Sequence, residues 1–548
     1  MLSGIFAMPC RARERPAVEP TAEFQPDAQT ESTQSALRDA LTIRGSDQEA
    51  TAPASVLAYY ASRDFTPAWT GSDDAESAAS RVLAALARAD EQGLHRADYG
   101  RTASHWDAPP APGPEAAEFE LSLTADLLRY ASDVCMGYLY PRDVYRDVQL
   151  PLRRFDIGQA LNAALKIHAI DAFLAGLLPP QQEYRGLVDT LARYRTIAEL
   201  GGWPAVPGKG NVSLESGDAR VPALVRRLLL EDPVLAAEPT LSIEAVQQAI
   251  QRYQTRNGIT PDGSAGPGTL AELNKPVSFR IAQIIANMER WRWMPHTFEK
   301  RYISVNVPDQ TAQYVRDASV ILSSRVIVGR PGSKTPITRL TVSAVVANPV
   351  WEVPDDIAVE QILPHLRRSP NYLASRNMVL TNEAGDPVPS QTVDWRKVSA
   401  THFPYLIQQN PGSDSAMGVL MMDSPNPFGV YLHDTPGKAL FNGALRLNSN
   451  GCIRVQQMFT LASLALTDDM YDGADKLTGA ILTGLTQRLV LDEPLPVYLL
   501  YWTAMAQSDG TVGFRPDLYG RDKLLIAAMS KSRAIAVPRK DSLRQTNG

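Results

Sequence analysis

The spacing of apolar residues predicts helices over residues 55–240. In "ESAASRVLAALARADEQGL" the side chains of Val82, Leu86 and Ala89 fall on one helical stripe, and Gly93 follows as a natural C-terminal stop. The segment "AAEFELSLTADLLRYASDVCMGYLYP" has the same periodicity. We therefore predict a helical scaffold domain over residues 55–240.

The first 54 residues lack this periodicity. They are rich in Glu, Asp, Ala, Thr, Pro and Gln, and they contain too few regularly spaced apolar positions to form a core. Residues 1–54 are predicted to be a flexible lead.

A compact helical hairpin is predicted over residues 241–275. Ser242 is placed to cap a helix whose Val246, Ile250 and Tyr253 share one face, and Gly258 is placed to end it. The following "TPDGSAGPGT" has the composition of a turn before a second helix.

Strand patterns dominate residues 276–505. Short runs such as "YISVNV", "SVILSSRVIVG" and "FGVYLHDTP" alternate, are rich in Val and Ile, and are bounded by Gly or Pro. They predict a β-rich sandwich or barrel-like domain. A helical pattern over about 354–408 interrupts it as an insertion, which is either a lid or a filler subdomain. Residues 506–548 are a C-terminal segment, and the predicted fold class is multidomain α+β.

The composition narrows the possible functions. A chain of 548 residues exceeds one ordinary core, and 44% hydrophobic with 21% charged residues is typical of soluble globular proteins. The net charge of -6 gives no electrostatic reason to bind nucleic acid. No apolar run reaches the roughly 18 residues of a membrane-spanning helix.

The N-terminal "MLSGIFAMPCRARERP" has an apolar patch that is short for a secretory signal. Three explanations are open: a start misplaced inside a longer signal, a remnant of a lipidation signal around Cys10, or a cytoplasmic protein. With three cysteines, no disulfide framework is implied. Cys135 lies on an apolar helix face and is predicted to be a small buried hydrophobe.

The candidate chemistry lies in "LRLNSNGCIRV", which contains Cys452. His433 lies 19 residues earlier on a predicted strand, and an imidazole that accepts the thiol proton makes cysteine a nucleophile. Gly451 allows close backbone approach, and the N–H groups from Asn450 to Cys452 are placed to bind an oxyanion. An inert buried cysteine is the alternative.

Three further residues are candidates, and two of them have two interpretations. Arg454 either binds a substrate carboxylate or pairs with a structural acid. Tyr431 shares the strand face of His433 and is expected to line the pocket. Trp351 either lines a substrate groove or belongs to the core. The histidines show no metal-ligand spacing, so neither a metal nor another cofactor is expected.

Two stretches resemble known families. Residues 241–274 resemble the peptidoglycan-binding repeat, and "HDTP" followed by "SNGCIRV" resembles the catalytic signature of the YkuD-type L,D-transpeptidases, in particular the large multidomain type of Gram-negative bacteria. The first match rests on Gln247, Ile250, Gln254, Gly258, Ile259, Asp262, Gly263, Gly266 and Thr269, and the second on His433, Ser449, Gly451, Cys452, Ile453 and Arg454.

The resemblance implies 3-3 cross-linking of peptidoglycan stem peptides through a cysteine thioester. It makes Cys452 the nucleophile and His433 the base, which the main chain of Asp434 orients. The amides of Gly451 and its neighbours are the expected oxyanion donors. The expected substrate-binding residues are Ser449, Arg454, Tyr431 and Trp351.

The resemblance also implies a periplasmic location, with stem peptides, glycan strands and other cell-wall synthesis enzymes as partners. Asn450 departs from the family pattern, which has histidine there, but the predicted base lies upstream, so we expect activity. A thiol hydrolase of the L,D-carboxypeptidase type and a catalytically weak peptidoglycan-binding protein are the alternatives.

Overall fold

Helix α4 is the centre of the N-terminal helical unit because its apolar positions recur every three or four residues. Leu123, Leu127, Ala131 and Val134 are all completely buried. The computed structural model describes residues 28–43, 53–100, 110–151, 153–399, 401–467 and 470–536, so Cys10 lies outside the described residues. The helices of this unit are α1 (Ala28–Ile43), α2 (Ala54–Ala61), α3 (Asp73–Ala87), α4 (Pro114–Met136), α5 (Pro141–Val144), α6 (Ile157–Lys166) and α7 (Ile170–Leu177).

Helix α1 corrects part of the predicted flexible lead. Leu37 is 0% and Leu41 is 5% exposed, and both belong to the same buried cluster as the apolar face of α4. Two leucines four residues apart are enough to attach a helix along one narrow stripe, although they are too few to show as a core-forming pattern.

The next helices include the predicted hairpin. Ser242 caps α11 by accepting a hydrogen bond from the Ala245 N–H (3.1 Å), and Gly258 ends it at φ +67°, both as predicted. Gln254 donates from Nε2 to Asp262 Oδ1 (2.7 Å) and accepts from the Gly263 N–H (2.9 Å), so these residues of the repeat signature hold the loop together. The helices are α8 (Gln182–Glu199), α9 (Val221–Leu229), α10 (Pro233–Ala236), α11 (Ile243–Arg256), α12 (Pro267–Leu273) and α13 (Val277–Arg292).

The strand-rich part forms a closed barrel. Around it the strands follow the order β5-β12-β2-β3-β4-β11-β10-β9, and β9 pairs again with β5, so the ring has no free edge. Strand β1 pairs with the start of β5 outside the ring. The strands are β1 (Val148–Gln149), β2 (Arg301–Asn306), β3 (Thr311–Arg316), β4 (Ser319–Ile327), β5 (Ile337–Ala347), β9 (Leu420–Asp423), β10 (Leu432–His433), β11 (Ile453–Val455) and β12 (Gln487–Leu500).

The insertion leaves the barrel after β5 and returns at β9. Its neck is fixed where the Asn348 N–H donates to the Val419 carbonyl (2.9 Å). Beyond the neck it has its own apolar cluster, and a three-stranded sheet of order β6-β8-β7 joins the predicted helices. The elements are β6 (Trp351–Glu352), α14 (Asp355–Ile357), a π-helical turn (Ala358–Ile362), α15 (Leu363–Leu366), α16 (Tyr372–Ser375), β7 (Met378–Asn382) and β8 (Tyr405–Gln409).

The last elements pack back onto earlier ones. Arg290 of α13 forms a buried ion pair with Asp522 of α19 (2.6 Å), which ties the C-terminal helix to the middle of the chain. No helix within the described ranges is both long and apolar enough to span a membrane. The elements are α17 (Met458–Leu466), α18 (Met470–Leu482), β13 (Ala504–Ala506), β14 (Val512–Phe514) and α19 (Arg521–Ala536).

The predicted α+β class is confirmed, and the domain boundaries remain a proposal. Buried side chains of α8 belong to the same cluster as the barrel interior, whereas residues 206–273 form a cluster of their own. The apolar residues of β14 and α19 join the barrel cluster as well.

Candidate active site

Two short parallel strands bring Cys452 and His433 to the same side of the barrel wall. Leu432 pairs with Ile453, and both side chains are completely buried in the barrel interior. Because successive side chains of a strand point to opposite faces, the residues beside them, Tyr431, His433 and Cys452, project outward together. The Ile453 N–H donates to the Tyr431 carbonyl (2.9 Å) and fixes this register.

His433 is held as a neutral imidazole with a defined tautomer. Its Nδ1 lies 2.5 Å from the Asp434 carbonyl oxygen, which only accepts, so Nδ1 carries the proton and Nε2 is free to act as a base. Burial lowers the pKa of His433 to about 4, and the Arg454 guanidinium acts in the same direction. The main chain of Asp434 therefore lies where the resemblance implies it.

Cys452 rests as a thiol. Burial raises its pKa above the ordinary value, while the backbone of Tyr431 and the positive charge of Arg454 favour the thiolate and oppose part of that rise. The sulfur donates weakly to the Gly429 carbonyl (3.7 Å). The two groups are therefore a neutral thiol and a neutral imidazole on the same side of the barrel wall.

Ser449 organises the loop before the cysteine. Its hydroxyl donates to the Cys452 carbonyl (2.6 Å) and accepts from the Gly451 N–H (3.2 Å). The Gly451 N–H, an expected oxyanion donor, is thus engaged inside the loop. The N–H groups of Asn450 and Cys452 donate to no other residue in the described chain, and they are the two free donors at this loop.

Gly451 is required by the backbone. Its φ is +117°, a conformation that L side chains rarely adopt, and an added Cβ would lie 3.4 Å from Val430 Cγ1. The Thr335 hydroxyl donates to the Gly451 carbonyl (2.8 Å) and accepts from the Gly329 N–H (3.0 Å). The motif loop is therefore held from the β4–β5 connection.

Sequence reasoning missed Thr335 and the residue behind it, Tyr519. The Tyr519 hydroxyl donates to the Gly329 carbonyl (2.5 Å), and the Arg521 guanidinium donates to the Thr335 carbonyl (3.2 Å). The one available signal was the segment "PDLYGRD", which resembles a recurring segment of the large L,D-transpeptidases.

Asp434 connects His433 to the neck of the insertion. Its carboxylate accepts from the Val419 N–H (3.2 Å) and forms an ion pair with Lys438. Gly418 packs so closely that an added Cβ would lie 2.6 Å from the Cβ of Asp434. The residue that orients the imidazole thus also fixes the point where the insertion rejoins the barrel.

The remaining predicted residues differ in their surroundings. Arg454 pairs in register with His433, and its buried Nε has no hydrogen-bond partner among the residues that the structure describes. Tyr431 is partly exposed, and its phenol pKa is raised by burial first and then by the negative charge of Asp423. Trp351 packs against the apolar cluster of the insertion, which supports its interpretation as a core residue.

Asn450 contacts the insertion. Gln361, in the π-helical turn, donates from Nε2 to the Asn450 Oδ1 (3.0 Å). On the same side Glu360 lies 3.9 Å from Arg330. Asn450, which departs from the family pattern, therefore contacts the insertion. No local sequence pattern predicts this contact.

No metal site accompanies this arrangement in the described part of the chain, where no three His, Cys, Asp or Glu residues are grouped to hold an ion.

Comparison with protein families and known proteins identifies the fold of this site. Residues 300–477 match the model of the L,D-transpeptidase catalytic domain, YkuD, and residues 54–191 match that of the Scaffold domain. The first range contains both Cys452 and His433. The predicted resemblance to L,D-transpeptidases is thereby confirmed.

The chain is also similar to individual proteins. A putative L,D-transpeptidase of Haemophilus influenzae is 36% identical over 244 residues, which are 44% of this chain and 49% of that protein, so the chain spans about half the length of this curated relative. The catalytic domain of the E. faecium L,D-transpeptidase acylated by ertapenem is 16% identical over 37% of this chain and 99% of that chain (TM-score 0.19). An L,D-transpeptidase from Stackebrandtia nassauensis is 13% identical over 54% and 96% (TM-score 0.19).

Proposed function

We propose that this chain is a peptidoglycan L,D-transpeptidase that forms 3-3 cross-links through a thioester on Cys452. The observation that carries the proposal is the neutral His433, whose Nδ1 is bound to the Asp434 carbonyl and whose Nε2 is therefore free on the face that it shares with Cys452. This pair lies inside the segment that matches the L,D-transpeptidase catalytic domain.

The first half-reaction forms the acyl-enzyme. His433 Nε2 takes the Cys452 proton while the sulfur attacks the carbonyl of the third stem residue, meso-diaminopimelate. The free N–H groups of Asn450 and Cys452 stabilise the oxyanion. The carbon–nitrogen bond to the terminal D-alanine then breaks, and its amine takes the proton back from the imidazolium. Because burial disfavours the charged imidazole, His433 gives up this proton readily.

The second half-reaction transfers the acyl group. The side-chain amine of another stem's third residue attacks the thioester carbonyl, the carbon–sulfur bond breaks, and one amine proton returns to sulfur through His433. Arg454 is the expected partner of a substrate carboxylate because its buried Nε is uncommitted. Ser449 is expected to act through the loop that it holds. The mechanism uses no cofactor.

Two other functions use the same site differently. In a hydrolase of the L,D-carboxypeptidase type, water resolves the thioester, whereas a weak peptidoglycan-binding protein forms none. Stem peptides, glycan strands and other cell-wall synthesis enzymes are the proposed partners, and the periplasm is the proposed location.

Product analysis tests the proposed function. We expect purified protein incubated with disaccharide tetrapeptides to yield 3-3 linked dimers by mass spectrometry. Tripeptide without dimer would show the hydrolase instead. With imipenem, whose strained carbonyl traps the thiolate, we expect one adduct, mapped to Cys452. An adduct at Cys135 or Cys10 would contradict the assignment of the nucleophile.

The low pKa of His433 predicts that the rate of carbapenem acylation decreases only at unusually low pH. Since the imidazole stays neutral down to about pH 4, carbapenem acylation should be flat from about pH 5.5 to 8 and fall only below that range. Single-turnover rates between pH 4 and 9, with circular dichroism to check folding, measure this. A half-maximal point near the ordinary histidine value of about 6.5 would contradict the buried neutral base.

The contact between the insertion and the motif loop predicts a moderate effect of Gln361→Ala. Ser449 and Thr335 still hold the loop, so acylation by a small carbapenem should change less than about twofold. We expect a disaccharide tetrapeptide to extend under the insertion, so its KM should rise two- to tenfold. This increase corresponds to the free energy of about one neutral hydrogen bond.

Gln391→Ala is the matched control, because its amide bonds to Asn371 within the insertion at the same 3.0 Å. Equal KM values for the two variants would show that the contact with Asn450 does not position substrate.

A further inference from the structure

A cavity lies on the outer wall of the barrel, away from Cys452. It has a volume of about 190 Å³ and is bounded by β2, β3 and the β13 segment. Trp291 of α13 and Trp502, just after β12, stack in its wall with ring centroids 4.4 Å apart and an interplanar angle of 17°. The two tryptophans belong to "NMERWRWMP" and "PVYLLYWTAMAQSDGTVGFRPDLYGRD", segments that the catalytic mechanism does not use.

The polar side of the cavity comes from two strands in register. Ser304 pairs with Gln313, so both side chains project from the outer face of the barrel. Both line the cavity, and neither side chain hydrogen-bonds to any residue that the structure describes. Two adjacent uncommitted groups, a hydroxyl and an amide, offer donors and acceptors to a ligand.

Trp502 is held firmly in place. Asn306 donates from Nδ2 to the Trp502 carbonyl (3.0 Å) and accepts from the Trp502 N–H (2.8 Å), so the residue is fixed through its main chain. Its indole Nε1 is buried and has no partner among the described residues. The ring that lines the cavity is therefore held in a fixed position by its main chain and its buried surroundings.

The charge of the lining selects for a neutral ligand. It contains the carboxylates of Glu183 and of Asp309, the second ion-paired with Arg515, and none of the described residues that line the cavity is Lys, Arg or His. The carboxylates of stem peptides are therefore disfavoured. The volume is below the roughly 300–1,000 Å³ of sites that enclose whole drug-sized ligands, so it has room for about one ring.

We infer that this cavity binds one N-acetylated sugar ring of a glycan strand, with an apolar ring face against the tryptophans and polar substituents on Ser304 and Gln313. The inference rests on the proposed function, because it takes peptidoglycan as the substrate. A single strand, β4, separates β3 from the strand that follows Cys452. A glycan seated there would hold its stem peptide on the side of the barrel where the nucleophile lies.

Binding of a neutral sugar without any peptide tests the inference. We expect the full chain to bind di-N-acetylchitobiose saturably in an NMR titration with an indole N–H signal shifted. Ser304→Ala and Gln313→Ala should each weaken binding about two- to tenfold. Ser323→Ala is the control, since this exposed serine lies opposite Gln313 on β4 but outside the cavity.

Absence of saturable binding, or equal affinity of the wild type and both variants, would overturn the inference. The rate of imipenem acylation of Cys452 is measured on the same samples. Acylation without sugar binding would leave the proposed function standing and remove only the sugar site. Sugar binding without acylation would leave the sugar site standing and contradict the proposed function. The two results are therefore distinguishable.

Discussion

Replacement of Cys452 by alanine is expected to abolish both cross-linked product and carbapenem labelling. In the proposed mechanism the sulfur forms the bond to the acyl group, and no other thiol in the described part of the chain shares a strand face with His433. Only the sulfur atom is removed from a partly exposed site, so the free energy of unfolding should change by less than about 1 kcal/mol. Thermal unfolding and intact mass after incubation with imipenem measure the two effects.

Cys135→Ser is the matched control. Cys135 is buried in the helical unit and accepts a hydrogen bond from Arg153 (2.7 Å), which serine can retain. Burial raises its thiol pKa, so it should react slowly and its replacement should leave the acylation rate unchanged. Dimer formation by the Cys452→Ala protein would show that the proposed nucleophile is wrong.

His433→Ala should lower the acylation rate on the order of a hundredfold or more, because it removes the proposed base from the side of the barrel wall that Cys452 shares. Without the imidazole, the thiol pKa stays above its ordinary value, and little thiolate forms at neutral pH. His402→Ala, a change at an exposed histidine of the insertion, should have no effect. Stopped-flow measurement of carbapenem acylation compares the three proteins.

The Asn450→His variant distinguishes the role of the proposed base, His433, from the role of the loop residue Asn450. The imidazole can accept the Gln361 hydrogen bond that Asn450 now accepts, so the acylation rate should stay within roughly tenfold, about 1.4 kcal/mol in the barrier. The reverse order, a mild effect of His433→Ala and a large one of Asn450→His, would place the catalytic histidine elsewhere.

The proposed reacting pair could be identified from the sequence because its signals are local. The motif spacing identified Cys452 and His433, and strand alternation placed Tyr431 on the same face. The occupied Gly451 N–H was not predictable, since it depends on the rotamer of Ser449. Thr335 and Tyr519 are far from the motif in sequence, and only barrel closure brings them to it.

The fold shows the same division between local and distant signals. Periodicity predicted the central helices and strands, whereas the β5–β9 pairing that closes the barrel is a distant contact that no local pattern encodes. Helix α1 was missed because its buried side comes from Leu37 and Leu41 with little other apolar support. The insertion sheet was missed because β7 and β8 are short strands within a helical context.

The hydrogen bond from Asn348 to Val419 closes the insertion at the point where it leaves the barrel. Its two ends leave neighbouring strands, so the barrel register does not depend on how many residues lie between them. Loop-closure entropy changes only slowly with length, and lineages can lengthen, shorten or exchange this part at little thermodynamic cost. A change in the length of the insertion would thus leave in place the strands beside Cys452 and His433.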